Sequence, residues 1–187
     1  ARMVLMMQDR IMLAYYKAIS AEIKRAGRAI AALYKDGVTD FSDAQIEHGE
    51  RMLKILSGLN KQTISLTKKM GFIEIKKVTF ESNIEEQIYN TLLANMAITA
   101  QNIAQTTVAS AMAVIAASME QNVAATAVQT ETVLDITTGR TRSTRSPKQT
   151  PFLYPNDIAA NITKNINNSS LTRSMTIART ETHKATN

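Results

Sequence analysis

The sequence predicts a mainly α protein: an elongated long-helix hairpin or bundle, then a basic linker, then a small C-terminal helical unit. Three observations support this fold class. The 187 residues are 44% hydrophobic but only 5% aromatic, and the apolar ones are mostly Ala, Ile, Leu and Met, which suit helices. Residues 1–146 contain no proline, the strongest helix breaker. Apolar residues also recur at helical spacing over long segments. We expect a helical region at 1–137, a linker at 138–156 and a C-terminal unit from 157 to 187.

The first helix is predicted over residues 3–35, on an apolar seam. From Met12 onward the steps between seam residues alternate four and three, which is the heptad spacing of coiled-coil contacts. The seam consists of Leu5, Met12, Tyr16, Ile19, Ile23, Ala26, Ile30 and Leu33. We expect helix or partner contacts at Met12, Tyr16, Ile19, Ile23, Ile30 and Leu33, either within the chain or with another chain. Asp36 and Gly37 supply a helix stop.

A second helix is predicted to begin near Ser42, where Ser42 and Gln45 have capping-box spacing. The short connection between the first two helices favours an antiparallel hairpin. Residues 71–81 are ambiguous, because their apolar residues suit a strand, a turn of helix or a packed connector.

A long third helix is predicted from Ser82, capped together with Glu85, to about Thr137. An unbroken helix of this length would measure about 80 Å, so either it breaks or the protein is elongated. Residues 87–119 carry no charge, but several Asn and Gln residues interrupt them. The longest stretch without these amides, residues 106–120, is shorter than the roughly 20 residues that span a bilayer. A membrane span is therefore disfavoured, and burial among other helices is favoured.

The linker at 138–156 is rich in Ser, Thr and Pro, and its cations have no acidic neighbour. With a net charge of +6, the chain is suited to acidic partners, although many soluble domains are equally basic. The linker either contacts DNA phosphates without reading their sequence or is a plain soluble connection. The residues concerned are Arg140, Arg142, Arg145 and Lys148. A short helix at 157–166, a turn at 167–170 and a final helix from Leu171 are expected to follow.

Little in the sequence points to catalysis. The chain has no cysteine, which excludes disulfides, thiolate nucleophiles and zinc–thiolate sites. His48 and His183 lack a second ligand at metal spacing, so a surface or interface role is expected for each. The sequence shows no glycine-rich phosphate loop after a strand and no nucleophile elbow. We expect a protein that is not an enzyme and holds no cofactor or metal.

The C-terminal segment carries the most specific signal. Its core reads Ile177-Ala178-Arg179-Thr180-Glu181-Thr182 and is followed by Ala185 and Asn187. This segment resembles the motif of the phage Mu F-type head-morphogenesis family, over about residues 157–187. The family's usual continuation is missing here, so we expect an incomplete α+β domain. On a helix, Arg179 and Glu181 point in roughly opposite directions and cannot pair. We expect both to be buried charges that anchor the helix, in preference to catalytic groups.

The resemblance implies a structural minor head protein of a tailed bacteriophage. Such a protein would lie inside the virion at the portal vertex, and in the host cytoplasm during assembly. Its partners would be the portal protein, other head proteins and packaged DNA, with no small-molecule substrate. Contact with DNA or the portal would then fall to the linker residues Arg140, Arg142, Arg145 and Lys148. Two alternatives are an ADP-ribosyltransferase-like domain fused to a head protein and a membrane-active helical ejection protein. The first would require a catalytic glutamate region beyond Asn187.

Overall fold

The computed structural model describes residues 2–71, 82–137 and 151–186, and that part of the chain is helical without a strand. The mainly α prediction is confirmed. The helices are α1 (Arg2–Lys35), α2 (Ser42–Gly71), α3 (Ser82–Thr137) and α4 (Pro155–Thr186). The ambiguous segment lies almost entirely outside the described residues, since only its first residue, Gly71, ends α2.

The helices form an up-down-up-down four-helix bundle. Helix α1 packs most extensively on α4, and α2 on α3, while the diagonal pairs α1–α3 and α2–α4 touch least. Two contacts for each packed pair of helices show the directions, because residue numbers rise along one helix as they fall along the other. The contacts are Glu22–His48 and Arg25–Glu47 for α1 and α2, Asn60–Met96 and Gly49–Ala104 for α2 and α3, Thr106–Arg173 and Asn122–Leu153 for α3 and α4, and Gly27–Ile166 and Tyr15–Glu181 for α1 and α4. Each helix is therefore antiparallel to its two neighbours, as short connections favour.

The expected stop of α1 is present as a Schellman motif. Gly37 adopts a φ of 84°, the left-handed conformation that glycine adopts without steric cost. The Gly37 amide donates to the Tyr34 carbonyl, and the Val38 amide donates to the Leu33 carbonyl.

Helix α2 begins at Ser42 as predicted, but its cap is different. The Ser42 amide donates to Oδ1 of Asp40 at 3.0 Å, so Asp40, which precedes the helix, satisfies one of its free amides. The predicted box fails because Phe41, whose carbonyl accepts from the Gln45 amide, occupies the N-cap position.

Helix α3 runs unbroken for 56 residues, or about 80 Å at 1.5 Å per residue. The sequence allowed either a break in this helix or an elongated protein, and the helix is continuous.

Helix α4 corrects the prediction of two helices separated by a turn at 167–170. It is continuous from Pro155 to Thr186. The hydroxyls of Ser169 and Ser170 donate to the carbonyls of Ile166 and Asn167, inside the helix, instead of closing a turn. Packing on α1 overrides the local turn preference, because Ile166 and Ser170 are both fully buried in the bundle.

One hydrophobic core joins all four helices. Helix α4, which covers the range expected to start a separate unit, contributes Ile158, Ile162, Ile166 and Ala178 to it. Helices α1 and α4 lie close together at Gly27, where an added Cβ would lie 2.7 Å from Cγ2 of Ile166. The two helices can pack this closely only because glycine has no side chain at position 27.

Candidate interaction and anchoring sites

A charged cluster is buried between α1 and α2. Arg25 donates from Nε and a terminal nitrogen to the two carboxylate oxygens of Glu22, each at 2.9 Å. From α2, Nδ1 of His48 lies 3.1 Å from Oε1 of Glu22 and donates to it. Arg25 also lies 3.6 Å from Glu47, which pairs with Arg51 on the surface. Glu22, through its hydrogen bond with His48, and Glu47, through its ion pair with Arg25, therefore both link α1 to α2.

The electrostatics of the cluster favour an ionised Glu22. Burial would raise the pKa of its carboxyl, but the hydrogen bonds from His48 and Arg25 and their charges outweigh burial and lower that pKa to about 2. The cluster therefore contributes stability only while Glu22 is charged.

The burial of His48 differs from the prediction. A surface or interface position was predicted, whereas its side chain is 1% exposed and paired with Glu22. A sequence signal existed, since Glu22 lies three residues after Ile19 and four before Ala26 and so shares their buried face of α1. A carboxylate on such a face needs a partner from another helix. His183 is exposed, as expected.

Of the two charged residues in the motif segment of α4, Arg179 and Glu181, only Glu181 is buried. Glu181 is buried and accepts a 2.9 Å hydrogen bond from Nζ of Lys184. Burial raises the pKa of the Tyr15 hydroxyl on α1 to about 12; a hydrogen bond with Thr63 partly opposes this, and the charge of Glu181 adds to it. Glu181 therefore lies near the junction of α1, α2 and α4.

Arg179 contradicts the expectation that both motif charges are buried. Arg179 and Thr180 are exposed, whereas Ala178, Glu181 and Thr182 face the bundle. The helix period explains the split, because positions 178 and 182 lie on one face and position 180 on the other. Arg179 and Thr180 are therefore available for contact with another molecule.

The heptad seam of α1 lies mostly in the chain's own core. Ile19, Ile23 and Ile30 are buried by the other helices, and Met12, Tyr16 and Leu33 pack at the margin of the core. Toward the N-terminus the buried positions are Ile11 and Tyr15, one residue before the predicted Met12 and Tyr16. The central seam residues therefore contact the other helices of the same chain.

A short segment before α4 is held against α3 by side-chain amides, and no sequence pattern predicted this contact. The Leu153 amide donates to Oδ1 of Asn122 at 2.7 Å, and Nδ2 of Asn122 donates to the Leu153 carbonyl at 2.8 Å. Nε2 of Gln121 donates to the Pro151 carbonyl. Leu153 packs on the core, while Phe152 remains exposed. These bonds fix where α4 begins.

Two further predictions concern the basic linker and the apolar part of α3. The basic residues Arg140, Arg142, Arg145 and Lys148 lie outside the described residues. Within α3, Asn90–Thr126 is long and apolar enough to cross a membrane by length and composition alone, and a third of its most apolar window is buried in the bundle. Among residues 2–71, 82–137 and 151–186, no group of three acidic, histidine or cysteine side chains could hold a metal.

Comparison of the chain with protein families, with curated proteins and with solved structures gives no match.

Proposed function

We propose that this chain is a structural minor head protein of a tailed bacteriophage. It associates with the portal vertex and acts in head assembly and in DNA packaging or ejection. The observation that carries the proposal is the C-terminal segment around Ile177-Ala178-Arg179-Thr180-Glu181-Thr182, which resembles the head-morphogenesis motif. The burial pattern of that segment supports a structural role, because Glu181 is buried in the bundle while Arg179 is exposed and can contact a partner.

The decisive experiment is a mass measurement by light scattering after size exclusion. The purified chain is run alone and then mixed with the portal protein encoded in the same genome. The expected result is co-elution at a mass larger than the portal ring by one or more copies of this chain. Separate elution at every mixing ratio would contradict the proposal.

A matched pair of variants locates the contact. Arg179→Glu reverses an exposed charge inside the motif, and Lys164→Glu reverses an exposed charge on the same helix outside it. Portal binding should weaken about tenfold or more for Arg179→Glu, because an interfacial charge then meets the wrong sign. Lys164→Glu should bind like the native chain.

DNA contact is proposed for the basic linker. Because each phosphate contact contributes about 0.9 to the slope of log K against log salt, four contacts would give a slope of roughly −3 to −4. Replacing Arg140, Arg142, Arg145 and Lys148 together by serine should bring that slope close to zero. A slope that stays unchanged would remove DNA contact from the proposed role.

A membrane-active ejection protein is the second candidate, favoured by the apolar character of Asn90–Thr126. Liposome flotation separates the two candidates. A chain that floats with neutral lipid vesicles supports the membrane candidate, and one that stays in the aqueous phase supports the head protein.

A further inference from the structure

Helix α3 carries a second heptad pattern, on the face that points away from the bundle. Its residues are separated by alternating steps of four and three, the spacing of a coiled-coil contact. We call this set the outer seam: Ile98, Asn102, Gln105, Ala109, Met112, Ala116, Met119 and Val123.

The outer seam is exposed along its whole length. Its large apolar members are 46–71% exposed, from Met112 at 46% to Val123 at 71%. The bundle covers the opposite side of the helix, where Met96, Ala100, Thr107 and Ala111 are almost fully buried. At 100° per residue the two sets lie about 180° apart. Helix α3 is thus apolar on two opposite faces, and its own bundle uses only one.

The composition of the outer seam fits an identical helix. No residue of the seam is charged, so the seam residues themselves would meet no like-charge repulsion in a second copy. Alanines at positions 109 and 116 let two helix backbones approach closely. The nearest charged groups flank the seam: Glu120 follows Met119, and Arg173 donates to Thr106.

Amides within the seam favour one orientation. In a parallel, in-register pair, Asn102 faces Asn102 and Gln105 faces Gln105, so their side chains can hydrogen-bond across the contact. In an antiparallel pair centred between Ala109 and Met112, Asn102 would face Met119 and Gln105 would face Ala116, which leaves buried amides without partners. Such amides also disfavour lipid as the occupant, because hydrocarbon offers them no hydrogen bond.

We propose that the outer seam of α3 pairs with the outer seam of a second copy of this chain, parallel and in register. The seam is about 40 Å long and a helix is about 10 Å wide, so the contact strip is roughly 400 Å² per chain. This is below the ~800 Å² of a standard interface, so the dimer is weak, with a dissociation constant on the order of 1–100 µM. The pairing is independent of portal association, and either can fail alone.

Sedimentation equilibrium over roughly 1 µM to 1 mM, a range chosen to bracket that constant, tests the pairing. The native chain should shift from monomer to dimer. Met112→Lys and Met112→Glu should each remain helical, with the dissociation constant raised about tenfold or more relative to the native chain. An equimolar mixture of the two should restore the dimer, because only in-register pairing places position 112 opposite position 112. Ala117→Lys, exposed on α3 but off the seam, should dimerise normally.

Variants with a single introduced cysteine test the pairing independently, since the chain has no cysteine of its own. Val123→Cys should form an intermolecular disulfide on mild oxidation, because parallel pairing brings the two copies of position 123 within reach. Ala124→Cys, exposed but about 100° away, should not.

Three results would overturn the proposal. They are a native chain that stays monomeric up to about 1 mM, a Met112→Lys variant that dimerises as the native chain does, and flotation of the native chain with vesicles in place of self-association.

Discussion

The contact between Gly27 and Ile166 gives the sharpest test of the bundle, because it depends on a single missing side chain. A Cβ at position 27 would lie 2.7 Å from Cγ2 and 3.0 Å from Cβ of Ile166, whereas ordinary contacts begin near 3.4 Å. These atoms sit close to the α4 backbone and cannot swing away. Gly27→Ala therefore forces the two helices apart.

The magnitude follows from two opposing effects. Alanine is favoured over glycine in a helix by about 1 kcal/mol. Overpacking a tight core contact costs about 1–3 kcal/mol. Gly58→Ala, in the exposed interior of α2, isolates the first effect, because a Cβ there has no neighbour within 4 Å. Gly58→Ala should thus gain about 1 kcal/mol, and Gly27→Ala should be less stable than Gly58→Ala by about 1–3 kcal/mol.

Urea denaturation of both variants, followed by circular dichroism at low protein concentration, measures this difference in the free energy of unfolding. A double-mutant cycle with Ile166→Ala then tests the partner. That substitution should cost about 2–5 kcal/mol in the native chain and at least ~1 kcal/mol less beside Ala at position 27, since the clash is partly relieved. Equal stabilisation by Gly27→Ala and Gly58→Ala would refute the α1–α4 packing described above.

Three further predictions concern the buried polar groups. Glu22→Gln should cost about 2–3 kcal/mol near neutral pH, and Glu47→Gln at most ~1 kcal/mol, in denaturant titrations. Because the pKa of Glu22 is lowered from 4.5 to about 2, its stabilisation is complete above pH 4.5 and is lost as the pH falls toward 2; the glutamine variant should lack this acid-dependent loss. Asn122→Ala should remove two hydrogen bonds and speed amide exchange in the segment before α4 by about tenfold or more. Glu181→Gln should destabilise the bundle by about 1–3 kcal/mol, and Arg179→Gln by no more than ~0.5 kcal/mol.

Each of these predictions has a contradicting result. Equal costs at positions 22 and 47 would mean that the buried carboxylate is not the stronger link between α1 and α2. Unchanged exchange in the Asn122 variant would mean that the segment is held by Leu153 packing alone. A larger loss of stability at Arg179 than at Glu181 would reverse the faces assigned to the motif helix.

Local signals account for the features that the sequence predicted correctly. The stop at Gly37 needs only a left-handed residue after the last turn, and the continuity of α3 follows from the absence of proline. Tertiary contacts account for the misses. Asn167 and Ser170 favour a turn locally, but burial against α1 keeps them helical. The two-residue spacing predicted that Arg179 and Glu181 point in different directions, but it did not predict which of them faces the core.

The sequence could not predict which distant residues pair in the two polar sites, at Glu22 and at Asn122. His48 reaches Glu22 across 26 positions, and Asn122 reaches Leu153 across 31. Periodicity identifies the face of a helix, but it does not identify the helix opposite. For the same reason, the heptad pattern of α1 left open whether its partner was internal, and the bundle core now shows α4 against it.

Protein mass spectrometry of purified, DNA-filled particles tests the central claim most directly. The proposed function places this gene in a phage genome, so the particles are those of that phage, banded by density and treated with protease to remove adhering host protein. A minor head protein is predicted to be protected inside the particle, at a constant ratio to the portal protein across preparations. Detection in the lysate but not in protected particles would contradict the account.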